Sequence, residues 1–286
     1  MGTTGPVDDK ITLQQVTVST VAAIDPKLHS NAAAVVLDDF IVAVDVGMRP
    51  YGSRMFREAL ESTYERPVRL VCVTHKHADH TFGLRAFKDV TLFSSHELPR
   101  ALERSPEFAP EARAARKQDE PDGGDWLDEV ELVLPALRFY GQMDVADKGR
   151  RVEFHHSGGH TSCSVYGYLA DEKVLFSGDL IFAGMFPYAG DPTADPEAWM
   201  STLRLWTTMA IDHVIPGHGP VSGPDEIVKQ LELLETLKQN TLEAIMAGGG
   251  PADIVVPSTY PTADKPWFVE RTLLRWHEYY SGRPWR

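Results

Sequence analysis

The chain has 286 residues, 43% of them hydrophobic, and 41 Asp+Glu against 28 Lys+Arg give it a formal charge of −13. That apolar fraction supports a sizeable core, while an acidic surface repels phosphate backbones and argues against nucleic acid as a partner. No apolar run approaches the roughly 20 residues that span a bilayer, and Met1–Lys10 carries no apolar leader region, so a cytoplasmic protein away from the membrane is expected.

In chain order, Ile11–Val18 partly alternates and reads as a strand. Ala33–Leu37 and Phe40–Val46 are apolar runs separated by Asp38-Asp39, a hairpin-like break. Ser53–Glu65 reads as a helix, with Phe56, Leu60 and Tyr64 at helical spacing. Val68–Val73 is a buried-strand run, followed by a helix over His80–Phe87, a strand over Val90–Phe93 and a helix over Ser95–Arg104. Residues 105–129, rich in charge, Pro and Ala, read as a surface insertion with a short helix. Strand signals return from Val130 to Leu180. Asp195-Pro196 then supplies an N-cap and an N1 proline for a helix with Trp199, Leu203, Trp206 and Ala210 on one face. A long amphipathic helix follows over Pro224–Met246, and Val269, Leu273, Trp276 and Tyr280 mark a C-terminal helix within residues 261–286. Both halves run from strand-rich to helix-rich, and the whole of residues 1–286 is expected to form a single domain. Cys72 and Cys163 have apolar flanks and read as small buried thiols.

The chemistry concentrates at the ends of strands. Thr74-His75-Lys76-His77-Ala78-Asp79-His80 follows the Val68–Val73 run directly. Ser157-Gly158-Gly159 leads to His160, Ser177-Gly178 to Asp179, and Pro216-Gly217 to His218. Each of these later segments reads as strand, glycine-bearing turn, then one ligand-type side chain. Together the four supply His75, His77, Asp79, His80, His160, Asp179 and His218. A structural ion needs about four ligands, so this set suits two ions that share a bridge and keep positions open for water or substrate.

These segments resemble the His-x-His-x-Asp-His, Gly-His-Thr, Gly-Asp and Pro-Gly-His-Gly motifs of the metallo-β-lactamase-fold hydrolases, in that family's order. The resemblance implies an α/β fold, a four-layer αββα sandwich. It implies that His75, His77 and His160 hold one metal, that Asp79, His80 and His218 hold the other, and that Asp179 bridges. It also implies that Asp45 supports the first motif through hydrogen bonds; the plainer reading of Asp45 is a turn-capping residue. Many relatives have two glycines after the first motif, whereas this chain continues Thr81-Phe82-Gly83 and resembles the broad branch of single-domain hydrolases.

The expected cofactors are two Zn2+, with iron or manganese as alternatives. Two such cations would yield a bridging hydroxide, with Asp79 as the catalytic residue that orients it. The expected reaction is hydrolysis of a small ester, thioester, lactone or amide. The alternatives are an iron-dependent oxidoreductase of the persulfide dioxygenase type and a phosphodiesterase or nuclease. The partner is then a small-molecule substrate, and an oligomer is compatible with the sequence. The loop after Asp179 offers Phe182, Met185, Phe186 and Tyr188 as pocket wall, with Tyr51 and Arg54 as rim candidates; ordinary packing or solvation is the competing reading for each. His96, His155 and His156 lie close enough in sequence to support a ligand; His29, His213 and His277 carry no assignment.

Overall fold

The computed structural model describes residues 10–262 and 266–282. Two compact units emerge: Met1–Arg138 with Ala146–Arg150, and Phe139–Val145 with Arg151–Arg286. Residues 1–9 and 283–286, part of the expected polar start and C-terminal tail, lie outside the described residues.

The first unit opens with β1 (Gln14–Gln15), β2 (Thr20–Ala23), β3 (Ala32–Val36) and β4 (Ile41–Val44). The strand expected over Ile11–Val18 shrinks to the exposed pair β1, because Val16 and Thr17 both donate their N–H to Thr20 O in a tight turn. β3 and β4 form the antiparallel hairpin that Asp38-Asp39 announced, with Val36 opposite Ile41. Both are buried on both faces, as their unbroken Ala/Val/Ile composition requires. α1 (Pro50–Tyr64) starts with proline at its first turn, buries Phe56 and Leu60, and ends at Glu65 in the left-handed region (φ 52°) just before Pro67.

β5 (Val68–Cys72) lies parallel between β4 and β6 (Thr91–Ser95). Between β5 and β6, α2 covers only Ala78–Thr81, and Phe82–Phe87 is a 3-10 helix rather than a continuation of α2. Two hydrogen bonds explain the break. An α-helix would direct the Gly83 N–H to Asp79 O. Instead Gly83 N donates to Gly47 O at 3.1 Å, and Asp79 O accepts from Ser30 Oγ. A Cβ on Gly83 would strike Ser53 Oγ and Gly47 O, so only glycine permits this approach.

α3 (Leu98–Glu103) and α4 (Pro110–Asp119) precede β7 (Leu137–Phe139), and the first sheet runs β1-β2-β3-β4-β5-β6-β7. Within residues 105–129 the surface expectation holds for α4, which buries no residue fully. It fails for the 3-10 turn Asp125–Glu129. There Trp126 and Leu127 are 7% and 1% exposed and pack with Met48, Ala78 and Phe82. The Arg49 and Arg116 guanidinia lie 5.5 and 5.9 Å from the Trp126 ring, and Arg49 pairs with Asp122 at 2.9 Å. This segment is anchored beside the turn that carries the first motif.

In the second unit, β8 (Gln142–Asp147), β9 (Arg150–His156), β10 (Val165–Leu169) and β11 (Val174–Phe182) are followed by α5 (Pro196–Trp206), β12 (His213–His218), α6 (Asp225–Met246) and α7 (Pro266–Ser281). The sheet order is β12-β11-β10-β9-β8; β10 runs antiparallel to β9 and to β11, and β11 and β12 run parallel. Trp199, Leu203 and Trp206 of α5, Ile227 and Leu234 of α6 and Leu273 and Trp276 of α7 share one apolar cluster with Leu180, Ile181 and Phe182 of β11. Ala210 lies beyond the end of α5. The Asp195 carboxylate caps α5 as its sequence promised, accepting from the Glu197 and Ala198 N–H groups at 3.0 Å.

β11 departs from the strand-then-turn reading. It continues through Ser177-Gly178-Asp179 to Phe182, and β12 continues through Pro216-Gly217 to His218. The glycine lies in a strand irregularity: Gly178 has φ 50°, and the β11–β12 register shifts on either side of it. Among the described residues, no helix is long and apolar enough to cross a membrane.

Candidate metal centre

Each unit presents its own set of ligand-type side chains, and in each the local hydrogen bonds fix which imidazole nitrogen carries a lone pair. In the first unit the organiser is Asp45. It follows β4 with φ 55°, a conformation that Asp tolerates better than most residues, and its N–H donates to Cys72 O at 2.9 Å. Its buried carboxylate accepts from Thr74 N (2.8 Å), Thr74 Oγ1 (2.7 Å) and His80 Nδ1 (2.8 Å). His80 therefore carries its proton on Nδ1 and its lone pair on Nε2, which lies 3.7 Å from Asp79 Oδ2.

The same logic reaches His75. Thr74 gives its hydroxyl proton to Asp45, so at 3.0 Å it accepts from His75 Nδ1, and His75 Nε2 keeps the lone pair. That nitrogen stands 3.0 Å from His77 Nδ1. The Cys72 thiol at the end of β5 is pushed up by burial and by the Asp45 carboxylate, which leaves it unreactive.

In the second unit three chain segments converge. His160 Nδ1 donates to Tyr188 O at 2.9 Å, so the loop after β11 orients His160 through its backbone. The His160 ring packs edge-on to Trp199 at 5.4 Å. His160 Nε2 and His218 Nε2 then stand 3.5 and 3.4 Å from the same oxygen, Asp179 Oδ2. A Cβ on Gly217 would occupy the place of Asp179 Oδ1, so that glycine makes room for the carboxylate. His156, on β9, holds the loop that carries His160 by donating from Nε2 to Ser162 O at 2.7 Å. His155 instead pairs with Glu153 and stacks on Tyr166.

These spacings test whether a metal fits. Two ligand atoms about 2.1 Å from one tetrahedral cation stand roughly 3.4 Å apart. The distances within the sets, 3.0, 3.4, 3.5 and 3.7 Å, bracket that value. The last two exceed a good N–H···O hydrogen bond, so direct bonding explains them poorly. The donor chemistry of oriented imidazoles and carboxylates fits a cation of the zinc or iron kind.

The expected pocket residues separate. Phe182 and Phe186 are 2% and 3% exposed and belong to the apolar cluster, so packing is their observed role, whereas Met185 is 37% exposed and Tyr188 half-buried. Phe182 also lies parallel to the His218 ring at 5.1 Å. Tyr51 packs against the Trp126 cluster and its hydroxyl accepts from Arg49. Arg54 is engaged by Glu129 at 2.7 Å, which answers its charge without an anionic ligand. The sequence did not point to the Tyr188 carbonyl, since any residue supplies one.

Comparison with known proteins agrees with this architecture. The alpha subunit of 2,4-dinitroanisole O-demethylase from Nocardioides sp. is 28% identical over 246 residues, covering 82% of this chain and 67% of that protein. The acyl-coenzyme A thioesterase MBLAC2 of Homo sapiens is 28% identical over 221 residues, 67% of this chain and 72% of that protein. A linear primary-alkylsulfatase from Pseudomonas sp. is 22% identical over 222 residues; the alignment takes in 68% of this chain but only 42% of that enzyme.

Among solved structures, a metallo-beta-lactamase from Pontibacter korlensis superposes with a TM-score of 0.62 at 20% identity, covering 79% of this chain and 99% of that one. The sec-alkylsulfatase Pisa1 from Pseudomonas sp. gives 0.71 at 20% identity, covering 95% of this chain and 50% of the sulfatase. At such identities the structural likeness speaks for the fold: two mixed sheets with flanking helices, the expected αββα class. The family model of the metallo-beta-lactamase superfamily matches residues 25–223, well over half of the sequence, and the chain belongs to that superfamily.

Proposed function

We propose that this chain is a dinuclear metal-dependent hydrolase of small esters or thioesters, with lactones and amides as related substrates. This reading keeps the ligand assignment that the family resemblance implies. His75, His77, His160 and Asp179 would hold one ion, and Asp79, His80, Asp179 and His218 the other, most simply zinc. The observation that carries the reading is the preset tautomers of His75, His80 and His160, each with Nδ1 hydrogen-bonded and the lone pair on Nε2. When bound, two such cations lower the pKa of a shared water and polarise the substrate carbonyl.

The chain's own residues do the rest. Asp179, with its side chain 4% exposed, would bridge; Asp79, at 22%, is the more accessible carboxylate and would accept the hydrogen of the attacking water. Asp45 keeps the His80 proton on Nδ1 throughout, and the Tyr188 carbonyl does the same for His160. Both cysteines are buried, so neither serves as a nucleophile. Thioester and ester substrates also agree with the acyl-coenzyme A thioesterase among the relatives. An intracellular location and a small-molecule substrate, without nucleic acid or membrane, complete the proposal.

The test is a panel of chromogenic esters, thioesters, lactones, phosphodiesters and sulfate esters, run on metal-loaded and chelator-stripped protein. Carbonyl substrates turned over only by the loaded protein are the expected result. Preference for phosphodiesters, turnover that survives stripping, or an iron requirement with oxygen uptake would overturn it.

A further inference from the structure

Two aromatic residues at the start of α7, Trp267 and Phe268, extend a series of rings that begins at the ligand histidines. Phe182 lies parallel to His218, their planes 11° apart. Phe268 stands edge-on to Phe182 at 6.2 Å and tilted on Tyr188 at 4.8 Å. Trp267 reaches Tyr188 at 6.1 Å and Phe268 at 5.7 Å. Tyr188 itself lies 6.3 Å from the His160 ring.

The placement is fixed by backbone: Ala189 N donates to Thr272 Oγ1 at 3.0 Å, tying the end of the loop to α7. Exposure rises along the series, from 2% at Phe182 through a half-buried Phe268 to 54% at Trp267. The inner rings are accounted for by packing. The outer indole is not, for more than half of its surface faces water, and Arg271 one turn on lays its guanidinium 5.9 Å from the ring and holds it in place. An exposed aromatic side chain in ring contact with Tyr188, whose carbonyl orients His160, is suited to meet an apolar group of a ligand.

We propose that Trp267 and Phe268, with Tyr188, form the wall that receives the apolar arm of the substrate, an unbranched acyl or alkyl chain beside the scissile bond. This assignment rests on the hydrolase reading and deepens it: the C-terminal helix, not only the loop after β11, sets selectivity for chain length.

The test compares 4-nitrophenyl octanoate with 4-nitrophenyl acetate on the metal-loaded full chain, in wild type, Trp267→Ala, Trp267→Phe and Phe268→Ala. Because Trp267 is exposed, its truncation leaves the core intact. The octanoate-to-acetate ratio of kcat/KM should fall about 10-fold in Trp267→Ala, with metal content unchanged and Trp267→Phe restoring most of the ratio. Calorimetry with free octanoate and acetate gives a readout independent of turnover. Wild type should bind octanoate more tightly than acetate, and Trp267→Ala should erase that preference. An unchanged ratio with unchanged octanoate binding in the variants overturns the wall, as does a wild type that does not distinguish the two acids. If no ester is turned over while octanoate binding still depends on Trp267, the hydrolase reading fails and the wall stands.

Discussion

The two ligand sets are built by opposite strategies. The first unit concentrates His75, His77, Asp79 and His80 in one turn after β5, where a single buried carboxylate, Asp45, fixes both the turn and the tautomers. The second unit collects His160, Asp179 and His218 from three distant places in the chain, through a strand irregularity at Gly178 and a missing Cβ at Gly217. The local set depends on one hydrogen-bonded residue. The dispersed set depends on sheet register and on close backbone approach. Substitutions should therefore injure them in different ways.

The largest effect is expected from Asp79→Asn. Its loss of activity should exceed the roughly 100-fold that supporting residues of a metal site cost, while the thermal unfolding curve stays close to wild type. Most of the activity surviving in a folded Asp79→Asn protein would remove this carboxylate from the mechanism.

Asp45→Asn tests the local strategy. Asn tolerates the left-handed backbone at this position, so the variant isolates the carboxylate. A drop of about 10- to 100-fold in metal affinity or kcat is expected, measured by titration with a chelator competitor. Wild-type affinity would mean that His80 needs no support.

Gly217→Ala tests the dispersed strategy. The added methyl collides with Asp179 Oδ1 and the Gly178 backbone, and should cost about 1–3 kcal/mol of stability together with weakened metal binding. A variant with wild-type melting temperature and metal content would show that the site relaxes freely.

The smallest effect lies away from both sets. Arg57 holds the Asp89 carboxyl below its ordinary range through hydrogen bonds of 2.6 and 2.9 Å. A carboxyl lowered in the folded state adds stability above its unfolded pKa and loses it as the pH falls through the folded one. Asp89 is 64% exposed, so Asp89→Asn should cost less than about 1 kcal/mol at neutral pH, and the difference should shrink as the pH falls below the ordinary carboxylate range and through the lowered folded-state value. A difference that persists in acid would assign the loss to something other than charge.

The same contrast explains what could be read in the sequence. The first motif was legible because its ligands are neighbours in the chain, and the β3–β4 hairpin, α1 and the Asp195 cap because their causes are local as well. The second set was legible only as isolated residues at strand ends, and the supposed turns at Gly178 and Gly217 are continuous strand, since pairing between β11 and β12 decides their geometry. The break between α2 and the following 3-10 helix depends on Gly47 and Ser30, far away in sequence. The burial of Trp126 and Leu127 was not read from the charged stretch around them, because their partners Met48, Ala78 and Phe82 lie far away in sequence. Trp267 and Phe268 gave no periodic signal, because their partners lie on another segment of the chain.

The central claim is that the two sets together hold a pair of ions. The most direct measurement is elemental analysis of the full chain after zinc saturation and removal of loosely bound metal, paired with the same measurement on Asp179→Asn. About two ions per chain in wild type, with a clear loss in the variant, is the predicted result. One ion or none in wild type, or an unchanged count in Asp179→Asn, would contradict a dinuclear centre bridged by Asp179.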